Sequence, residues 1–554
     1  MRDPNAMRLE SLVRDALRAQ ESGDFEAAAA IAEQADREGL AHPVLLRLQA
    51  ASCAMSGRFP EAGALLNRAL ALDPRDPLTI ADIGRVLVAE DRAEESIAAF
   101  RAALSIRSDL VDVWLELGSA HEMLKQEDAA ASAFQQAHKL APEAPGALAA
   151  LAMVARRRND SVACRAFASR AVALQPDHVA ANFALAGLDL GARKYEDVMT
   201  RVQAMMATGA LDELQSASAF ATLAEALEGL GRYPEAFEMY AKWNEATRRT
   251  HAPKFGEGGR IENHMHYMSR MKSWFERQDP AVWRERWPAG DYVSPVRRHV
   301  FLFGYPRSGT TLLENVLASF AAVRGLEEQP TLAVADWEFL RDDQAMDRLT
   351  RLGPVLAAEQ RNEYWQRVRR EVPDVDGKVF VDMGPLYGIK LQVIARLFPD
   401  ALLVRCKRDP RDVVLSCFKM AFRVNASTYQ MTTLEGAARH FDLAMQLTEL
   451  HLSVLPLPVH VVDYATLVSD FDASTRALAE FIGIPWTEDV RAFDRTARGR
   501  QLRTASAQQV RRGLYDGTRQ WLRYRDHLAP VLPILEPWVT RFGYPLSPED
   551  DSVS

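Results

Sequence analysis

The residues best suited to chemistry lie in the loop that runs from Gly304 to Gly309. This loop follows a short apolar run, Val300–Phe303, and precedes a segment with helical spacing that starts at Thr310. A strand, a tight loop and a helix in this order can cradle a phosphate, because the first helical turn offers unpaired N–H groups and a partial positive charge. The Lys that follows the second Gly of a P-loop is replaced here by Thr310, and the nearest cation is Arg307, whose planar guanidinium fits a tetrahedral oxyanion. We therefore predict a phosphate site that differs from an ordinary ATP–Mg site; a turn without a ligand is the alternative.

A second polar stretch follows the apolar run Ala401–Cys406. It reads Lys-Arg-Asp-Pro-Arg-Asp from residue 407, and Ser416 comes one to two helical turns later. A cation at the strand end, Arg408, and a hydroxyl on the next helix can converge on a second phosphate. A solvated run of charge is the alternative, but its place one βα unit after the first loop favours the phosphate site.

The elements that must position these residues form an alternating pattern from His299 onward. Short apolar runs alternate with helical stretches, which is typical of a parallel sheet with helices on both faces. The predicted strands are Val300–Phe303, Val379–Val381, Ala401–Cys406 and Val459–Val462. Ligands bind at the carboxyl ends of such strands, which is where both polar stretches fall.

The first 250 residues repeat with a period of 34. Pro43, Pro77, Val111, Pro145 and Val179 are spaced by this interval, and small residues recur in the same register at 28, 62, 96, 130 and 164. Small residues let paired helices approach closely, and a period of 34 is typical of tetratricopeptide repeats. Such repeats stack into a superhelix with a concave face. We expect that face to bind a peptide or protein; supporting the C-terminal domain or forming a homodimer are the alternatives.

The sequence therefore predicts a multidomain protein, all-α repeats followed by an α/β domain. The predicted boundaries are 8–250 for the repeats, 251–298 for a helical linker and 299–545 for the α/β domain. The chain of 554 residues is long enough for several domains.

Composition limits the function classes. The chain is 48% hydrophobic and 26% charged, and its formal net charge of -8 argues against a nucleic-acid partner. Its four cysteines show no metal or disulfide spacing, so we expect them to be buried and the compartment to be reducing. No signal-peptide core and no run of about 18 apolar residues is present, which predicts a cytoplasmic protein without integral membrane contact.

The two polar stretches together resemble the sulfotransferases that use 3′-phosphoadenosine 5′-phosphosulfate (PAPS). The chain is most similar to bacterial proteins that join tetratricopeptide repeats to a P-loop-type domain related to protein-tyrosine sulfotransferases. The resemblance implies that the 5′-phosphosulfate is bound by the string Pro-Arg-Ser-Gly-Thr-Thr, here Arg307, Ser308, Gly309, Thr310 and Thr311. It also implies that Arg408 and Ser416 bind the 3′-phosphate.

The resemblance also places a catalytic Glu shortly after the first helix. In Gly-Leu-Glu-Glu-Gln-Pro, residues 325–330, it selects Glu328 as the general base, with Glu327 as the less favoured neighbour. Deprotonating a phenol, with a pKa near 10, needs a carboxylate within hydrogen-bond reach. One departure is Met383, which stands where the family commonly has a Lys near the leaving-group oxygen. Either Lys390 or Arg307 supplies that charge, or turnover is impaired.

Two later stretches resemble elements that close over the nucleotide. Tyr464 matches a Tyr near the adenine, and Ser506 matches a Ser near the transition state. Arg519 is the nearest replacement for a basic residue that precedes a Trp, and Arg511 is a further candidate for cofactor binding.

The expected activity is transfer of a sulfuryl group from PAPS to an acceptor hydroxyl, with PAP as product and without a metal. A tyrosine of a peptide or protein on the repeat groove fits the family relationship, whereas a glycan, lipid or small molecule is the alternative acceptor. Two other classes stay open. One is a nucleotide-binding repeat scaffold with an inactive transferase domain, which Met383 favours. The other is a kinase or NTPase, which predicts a Lys at position 310 and dependence on Mg²⁺.

Overall fold

A computed structural model describes residues 4–285, 287, 292–499 and 513–547. Contacts between Cα atoms divide the chain into two compact units, Met1–Leu211 and Asp212–Ser554. The first unit is all-helical, and the second contains a five-stranded parallel sheet. The predicted fold class, helical repeats followed by a parallel α/β domain, is confirmed.

The first unit is a series of antiparallel helical hairpins. Its helices are α1 (Pro4–Glu21), α2 (Phe25–Arg37), α3 (Pro43–Met55), α4 (Phe59–Leu72), α5 (Pro77–Ala89), α6 (Ala93–Ile106), α7 (Val111–Met123), α8 (Glu127–Leu140), α9 (Pro145–Arg157), α10 (Ser161–Leu174), α11 (Val179–Gly191) and α12 (Tyr195–Ala207). The five residues that define the 34-residue spacing are the first residues of α3, α5, α7, α9 and α11. Proline suits this position, since the first helical N–H has no partner within the helix.

The small residues of the repeat lie where the helices are closest. The recurring positions 28, 62, 96, 130 and 164 are all buried, as are those at 69, 103, 137 and 171. A larger side chain would push the paired helices apart, because interiors of this kind are close-packed. The period therefore records a packing requirement.

Gly118 and Gly63 offer a matched test of that packing. A Cβ at Gly118 in α7 would lie 2.3 Å from the Phe134 ring, whereas a Cβ at Gly63 in α4 would meet nothing within 4 Å. Gly118→Ala should lower the free energy of unfolding by about 1–3 kcal/mol through overpacking. Gly63→Ala should raise it by up to about 1 kcal/mol, because alanine favours the helix. Urea unfolding followed by far-UV circular dichroism checks both, and equal effects would contradict the packing argument.

The second unit surrounds its sheet with helices. Its strands are β1 (Arg298–Phe303), β2 (Val323–Glu327), β3 (Val379–Met383), β4 (Leu402–Lys407) and β5 (Val459–Asp463). Its helices are α13 (Glu213–Gly229), α14 (Tyr233–Phe255), α15 (His264–Glu276), α16 (Pro280–Arg284), α17 (Thr310–Ala318), α18 (Ala333–Leu340), α19 (Asp343–Thr350), α20 (Pro354–Glu371), α21 (Leu391–Leu397), α22 (Pro410–Phe418), α23 (Leu434–Val454), α24 (Tyr464–Ser469), α25 (Phe471–Ile482), α26 (Phe493–Gly499), α27 (Arg525–Leu528) and α28 (Leu532–Phe542). Short 3₁₀ helices occupy Tyr387–Lys390, Thr428–Thr432, Glu488–Ala492, Gln520–Tyr524 and Ala529–Val531.

The strand order is β2-β3-β1-β4-β5, and every neighbouring pair is parallel. The central strand β1 sends Phe301 and Phe303 into one core and Val300 and Leu302 into a second core on the opposite face. The chain moves from β1 toward β2 and β3 and later crosses to β4 on the other side. This change of direction opens a crevice at the carboxyl ends of β1 and β4, the place where ligands bind in open α/β sheets.

The four predicted strands are present, and β2 is an additional one. Its sequence, Val-Arg-Gly-Leu-Glu, contains neither an apolar run nor a clean alternation. It lies at the edge of the sheet, where one side lacks a strand neighbour and the pattern is less constrained.

The boundary between the two units falls between residues 211 and 212. The hairpin α13–α14 belongs to the second unit because its side chains reach the end of α22. The buried Asn244 donates a hydrogen bond from Nδ2 to the carbonyl of Phe418 over 2.7 Å, and the Phe237 and Phe418 rings stack at 5.2 Å. These contacts join residues far apart in sequence, which a repeat pattern does not reveal.

Candidate active site

The loop between β1 and α17 is folded tightly around its own backbone. Gly304 must be a glycine, because a Cβ there would lie 2.3 Å from Ser308 Oγ and 2.8 Å from the Cys406 carbonyl. The Tyr305 amide donates to Ser308 Oγ over 3.2 Å, and the Ser308 amide donates to the Tyr305 carbonyl over 3.0 Å. These bonds close the turn that leads into the first residue of α17, Thr310.

Two residues of the loop adopt the left-handed backbone region. Gly309 has φ +105° and Arg307 has φ +72°. A non-glycine residue in this region costs roughly 1 kcal/mol or more, and such strain concentrates at functional sites. Thr310 and Thr311 are buried at the start of α17, directly after this strained turn.

The residues of the second polar stretch meet the loop. Arg307 donates from Nε to Ser416 Oγ over 2.9 Å, and Arg408 donates to the Arg307 carbonyl over 2.8 Å. A second Arg408 nitrogen donates to the Gly517 carbonyl over 2.6 Å. Arg307, Ser416 and Arg408, which come from stretches about a hundred residues apart in the chain, thus form one hydrogen-bonded group at the carboxyl ends of β1 and β4.

Tyr464 lies against the same group. The Arg408 guanidinium is 4.8 Å from the centre of its ring, and its hydroxyl donates to the Tyr515 carbonyl over 2.6 Å. A Cβ at Gly309 would approach the ring to 2.8 Å, so only glycine allows this contact. Tyr464 therefore forms a wall beside the loop and beneath Arg408.

The group is positively charged and partly buried. Burial lowers the pKa of Arg307 to about 10, and the positive charge of Arg408 contributes in the same direction. Both effects act against the cationic form, and an anion bound between the two guanidinium groups would relieve them.

Glu328 lies at the carboxyl end of β2, on the other side of β1 from Arg408. Its φ of +48° is also left-handed, and its amide donates to the Met383 carbonyl over 2.9 Å. Burial, with a smaller contribution from the Glu327 charge, raises the pKa of Glu328 to about 7. A carboxylate with a pKa near neutrality suits a general base.

The two basic candidates for the charge missing at Met383 are placed differently. Met383 itself is fully buried in the apolar core on the α17 face of the sheet. Lys390 forms an ion pair with Asp336 of α18. Arg307 lies in the loop, bonded to Ser416.

Arg519 is held by the acidic helix start of α22. Its amide donates to Asp412 Oδ2 over 2.8 Å, and the Trp521 amide donates to Asp412 Oδ1 over 2.8 Å. Arg519 and Arg408 line one cavity of about 540 Å³. Ser506 and Arg511, also predicted for the site, lie outside the described residues.

Lys419 is a further charged residue near the site, and no sequence motif points to it. It follows α22, one helical turn after Ser416, and pairs with Glu228 of α13. Burial lowers its pKa, and the positive charge of Arg307 contributes to the lowering. The position of Lys419 three residues after Ser416 can be read from the sequence and places it near the site. Its ion pair with Glu228 cannot be predicted from the sequence.

The contact between Arg307 and Ser416 gives a moderate, testable effect. Ser416→Ala leaves the guanidinium without this acceptor, and a lost hydrogen bond to a charged group costs about 1.5–3 kcal/mol. We expect weaker binding of PAP to the variant, measured by calorimetry, with an unchanged fold. The control is Ser427→Ala, which removes a buried hydroxyl that contacts His440 instead, and it should bind PAP like the wild type.

Among the described residues, no group of three or more His, Cys, Asp or Glu is arranged to hold a metal ion. None of the helices described has both the length and the apolar character that crossing a bilayer requires. All four cysteines are buried and free, as predicted.

Part of the second unit matches a known protein family. Residues 299–488 match the model of a family described as the sulfotransferase family. A protein of Aquifex aeolicus (strain VF5), named only as uncharacterized, is 28% identical over 252 residues, which cover 44% of this chain and 33% of that protein. The chain thus spans about a third of the length of this relative.

Two solved repeat structures resemble the helical part. A thermophilic TPR protein of Thermus thermophilus is 18% identical and covers 32% of this chain and 98% of its own, with a TM-score of 0.29. The pilF protein of Pseudomonas aeruginosa is 16% identical and covers 39% of this chain and 94% of its own, with a TM-score of 0.32.

Proposed function

We propose that this protein transfers a sulfuryl group from PAPS to an acceptor hydroxyl, with Glu328 as the general base. The observation that carries the proposal is the hydrogen-bonded group of Arg307, Ser416 and Arg408 beside a strained phosphate-type loop. The match of residues 299–488 to the sulfotransferase family supports it. A nucleotide with phosphates on both sides of the ribose accounts for two neighbouring cationic positions.

The residues present fit PAPS in a further respect. Arg408 Nε is buried and has no hydrogen-bond partner among the described residues, although the other guanidinium nitrogens have theirs. A buried N–H without an acceptor is costly, and a 3′-phosphate oxygen is an acceptor of the right charge. In the proposal, Arg408 and Ser416 hold the 3′-phosphate, and the loop from Arg307 to Thr311 holds the 5′-phosphosulfate.

The adjoining cavity suits the uncharged part of the nucleotide. Its acidic side chains already have partners: Asp409 pairs with Arg411, Asp412 accepts two backbone amides, and Asp516 accepts from Thr518. Tyr464, beneath Arg408, offers an aromatic face close to this space. We propose that Tyr464 and Arg519 contact the nucleoside, that Arg511 is a further contributor to cofactor binding, and that Ser506 acts near the transition state.

PAPS, when bound, supplies the sulfuryl group, and its 5′-phosphate is the leaving group. Glu328 accepts the proton of the acceptor hydroxyl, which makes the oxygen nucleophilic. Arg307 and the amides at the start of α17 stabilise the charge that grows on the leaving oxygens, in a site where burial strengthens each interaction. The chain's contribution is mainly positioning and electrostatics, as in phosphoryl transfer.

For the acceptor we propose a tyrosine of a peptide or protein that the repeats help to bind. Helical repeats provide extended surfaces suited to such partners. A phenol is also a hydroxyl that benefits from a base, and Glu328 has a pKa near neutrality. A glycan or small molecule is the other acceptor class, and the cytoplasm is the proposed compartment.

The competing function is a nucleotide-binding scaffold with an inactive transferase domain. The observation that favours it is Met383, an apolar, fully buried side chain at the position of the family Lys. Such a scaffold binds PAPS but does not turn it over.

An assay with ³⁵S-labelled PAPS separates these functions. The full chain is incubated with N-acetyltyrosinamide, a tyrosine-containing peptide library, a glycan mixture and a cell extract, and labelled products are identified by mass spectrometry. Label on phenolic oxygens supports the proposal, and label only on glycans or small molecules replaces the acceptor. Tight binding of PAPS with no labelled product from any source contradicts the transferase.

A further inference from the structure

A buried carboxylate, Asp382, lies at the end of β3 and takes no part in the proposed chemistry. It is fully buried, and three hydroxyl groups donate to it. Tyr364 donates to Oδ2 over 2.7 Å, Thr331 donates to Oδ2 over 2.8 Å, and Tyr387 donates to Oδ1 over 3.0 Å. His299 Nε2 lies 2.7 Å from the Tyr364 hydroxyl. The carboxylate is therefore the centre of a buried polar network that joins β1, β3, α20 and the segment before α18.

An ionised Asp382 can accept from all three hydroxyls. The Thr331 and Tyr387 hydroxyls also lie 3.0 Å apart, and either of them could donate to the other. Tyr364 then accepts from His299, which must carry its proton on Nε2. Burial raises the pKa of Asp382 to about 6, and the three hydroxyl donors oppose that rise.

One of the three donors connects the network to Glu328. Thr331 is buried and lies three residues after Glu328 in the same turn, and its amide donates to the Gln329 carbonyl over 2.8 Å. At the other end of the turn, the Glu328 amide donates to the carbonyl of Met383, the residue after Asp382. The end of β3 therefore holds the turn at two points, one through its backbone and one through the Asp382 side chain.

The turn needs such support because its conformation is unfavourable. Glu328 has φ +48°, a region that non-glycine residues avoid, and such conformations persist only where the surroundings hold them. The neighbouring negative charge of Glu327 also favours separation of the two carboxylates. Without the Thr331 hydroxyl, the turn keeps one backbone bond to β3 and loses its side-chain contacts with Asp382 and with Tyr387.

We propose that Asp382 is a positioning residue that holds the general base in place through Thr331. It does not contact the donor or the acceptor in this scheme. The inference rests on the proposed function, since it assigns Asp382 a task only if Glu328 is the base.

The test removes the link while keeping the volume of the side chain. Thr331→Val replaces the hydroxyl by a methyl group, whereas Thr331→Ser keeps the hydroxyl. Thr331→Ala also removes the hydroxyl and serves as the alternative if valine does not fit. Tyr364→Phe is the matched control, since it deletes another hydroxyl from the same carboxylate but leaves Thr331 bonded. Calorimetry with PAP and thermal unfolding establish that each variant is folded and binds nucleotide.

Two readouts distinguish positioning from a general loss of stability. The first is the acid limb of the pH profile of kcat/KM for N-acetyltyrosinamide, which reports the pKa of the general base. In Thr331→Val and Thr331→Ala the limb should move below pH 7, because a released turn exposes Glu328 to water, and kcat should fall on the order of 10²-fold. The second is hydrogen exchange of the peptide that contains Glu328, whose amide should exchange faster than in the wild type.

Thr331→Ser and Tyr364→Phe should keep the wild-type limb and the wild-type exchange rate. If Thr331→Val and Thr331→Ala also keep both while Glu328→Gln is inactive, the positioning role is wrong and the proposed function stands. If Glu328→Gln retains full activity, the proposed function itself fails. The hydrogen-exchange result does not depend on finding an efficient acceptor.

Discussion

Glu328→Gln should reduce sulfuryl transfer to N-acetyltyrosinamide by a factor on the order of 10²–10⁴, the usual contribution of a general base. The amide keeps the size and hydrogen-bonding capacity of the side chain but cannot accept a proton. Binding of PAP should stay close to that of the wild type, because Arg307, Ser416 and Arg408 are untouched. Initial rates with ³⁵S-labelled PAPS and calorimetry with PAP measure the two quantities separately.

Two comparisons sharpen this prediction. An acidic phenol such as 4-nitrophenol ionises near neutral pH and needs little help from a base, so the loss in Glu328→Gln should be much smaller with it. Glu327→Gln is the matched variant at the neighbouring position and should remain active. An equal loss with both phenols, or a larger loss in Glu327→Gln, would move the base away from Glu328.

The pH dependence of the wild type follows from the same group. Glu328 acts only when deprotonated, and its pKa lies near 7. The value of kcat/KM should therefore fall as the pH drops through 7, although an ordinary glutamate would keep its charge well below that pH. Glu327→Gln should shift this limb to lower pH, because the Glu327 charge contributes to the raised pKa.

Arg307→Ala should lower kcat/KM on the order of 10²–10³-fold, comparable with the loss of one oxyanion donor in a water-excluded site. The variant loses the cation closest to the loop backbone and the partner of Ser416 at once. Arg307→Lys keeps the charge but not the planar fork, so its loss should be intermediate. Both effects are measured as kcat and KM for PAPS at fixed N-acetyltyrosinamide.

Arg476 provides the control for charge alone. It lies on α25, and its guanidinium is 3.5 Å from the centre of the Trp486 ring. Arg476→Ala removes the same formal charge from the chain and should leave kcat/KM unchanged. Wild-type rates in Arg307→Ala would show that this residue does not stabilise the transition state.

The sequence was most informative where a pattern reflects local packing. The residues at 43, 77, 111, 145 and 179 begin helices because the spacing records a helical hairpin that packs against its copies. The strand, loop and helix around Gly304 were equally predictable from the sequence. The glycines are needed because the loop packs closely against its own atoms and against the Cys406 carbonyl.

Features that depend on contacts between residues far apart in the chain could not be predicted from the sequence. The edge strand β2 lacks an apolar pattern, and the hairpin α13–α14 joins the second unit through contacts such as that of Asn244 with Phe418. The sequence predicts only that Arg307 and Ser416 lie near the same site. It does not predict the hydrogen bond between them, because its geometry depends on the left-handed backbone of Arg307. The support of Glu328 by Asp382 through Thr331 left no local pattern at all.

The proposed 3′-phosphate site is tested most directly by calorimetric titration of the full chain with PAP and with 5′-AMP, each with and without Mg²⁺. The two ligands differ only in the 3′-phosphate that Arg408 and Ser416 are proposed to bind. PAP should bind clearly more tightly than 5′-AMP with or without Mg²⁺, and Arg408→Ala should lose this preference. Equal affinity for PAP and 5′-AMP, or binding that requires Mg²⁺, would contradict the proposed 3′-phosphate site.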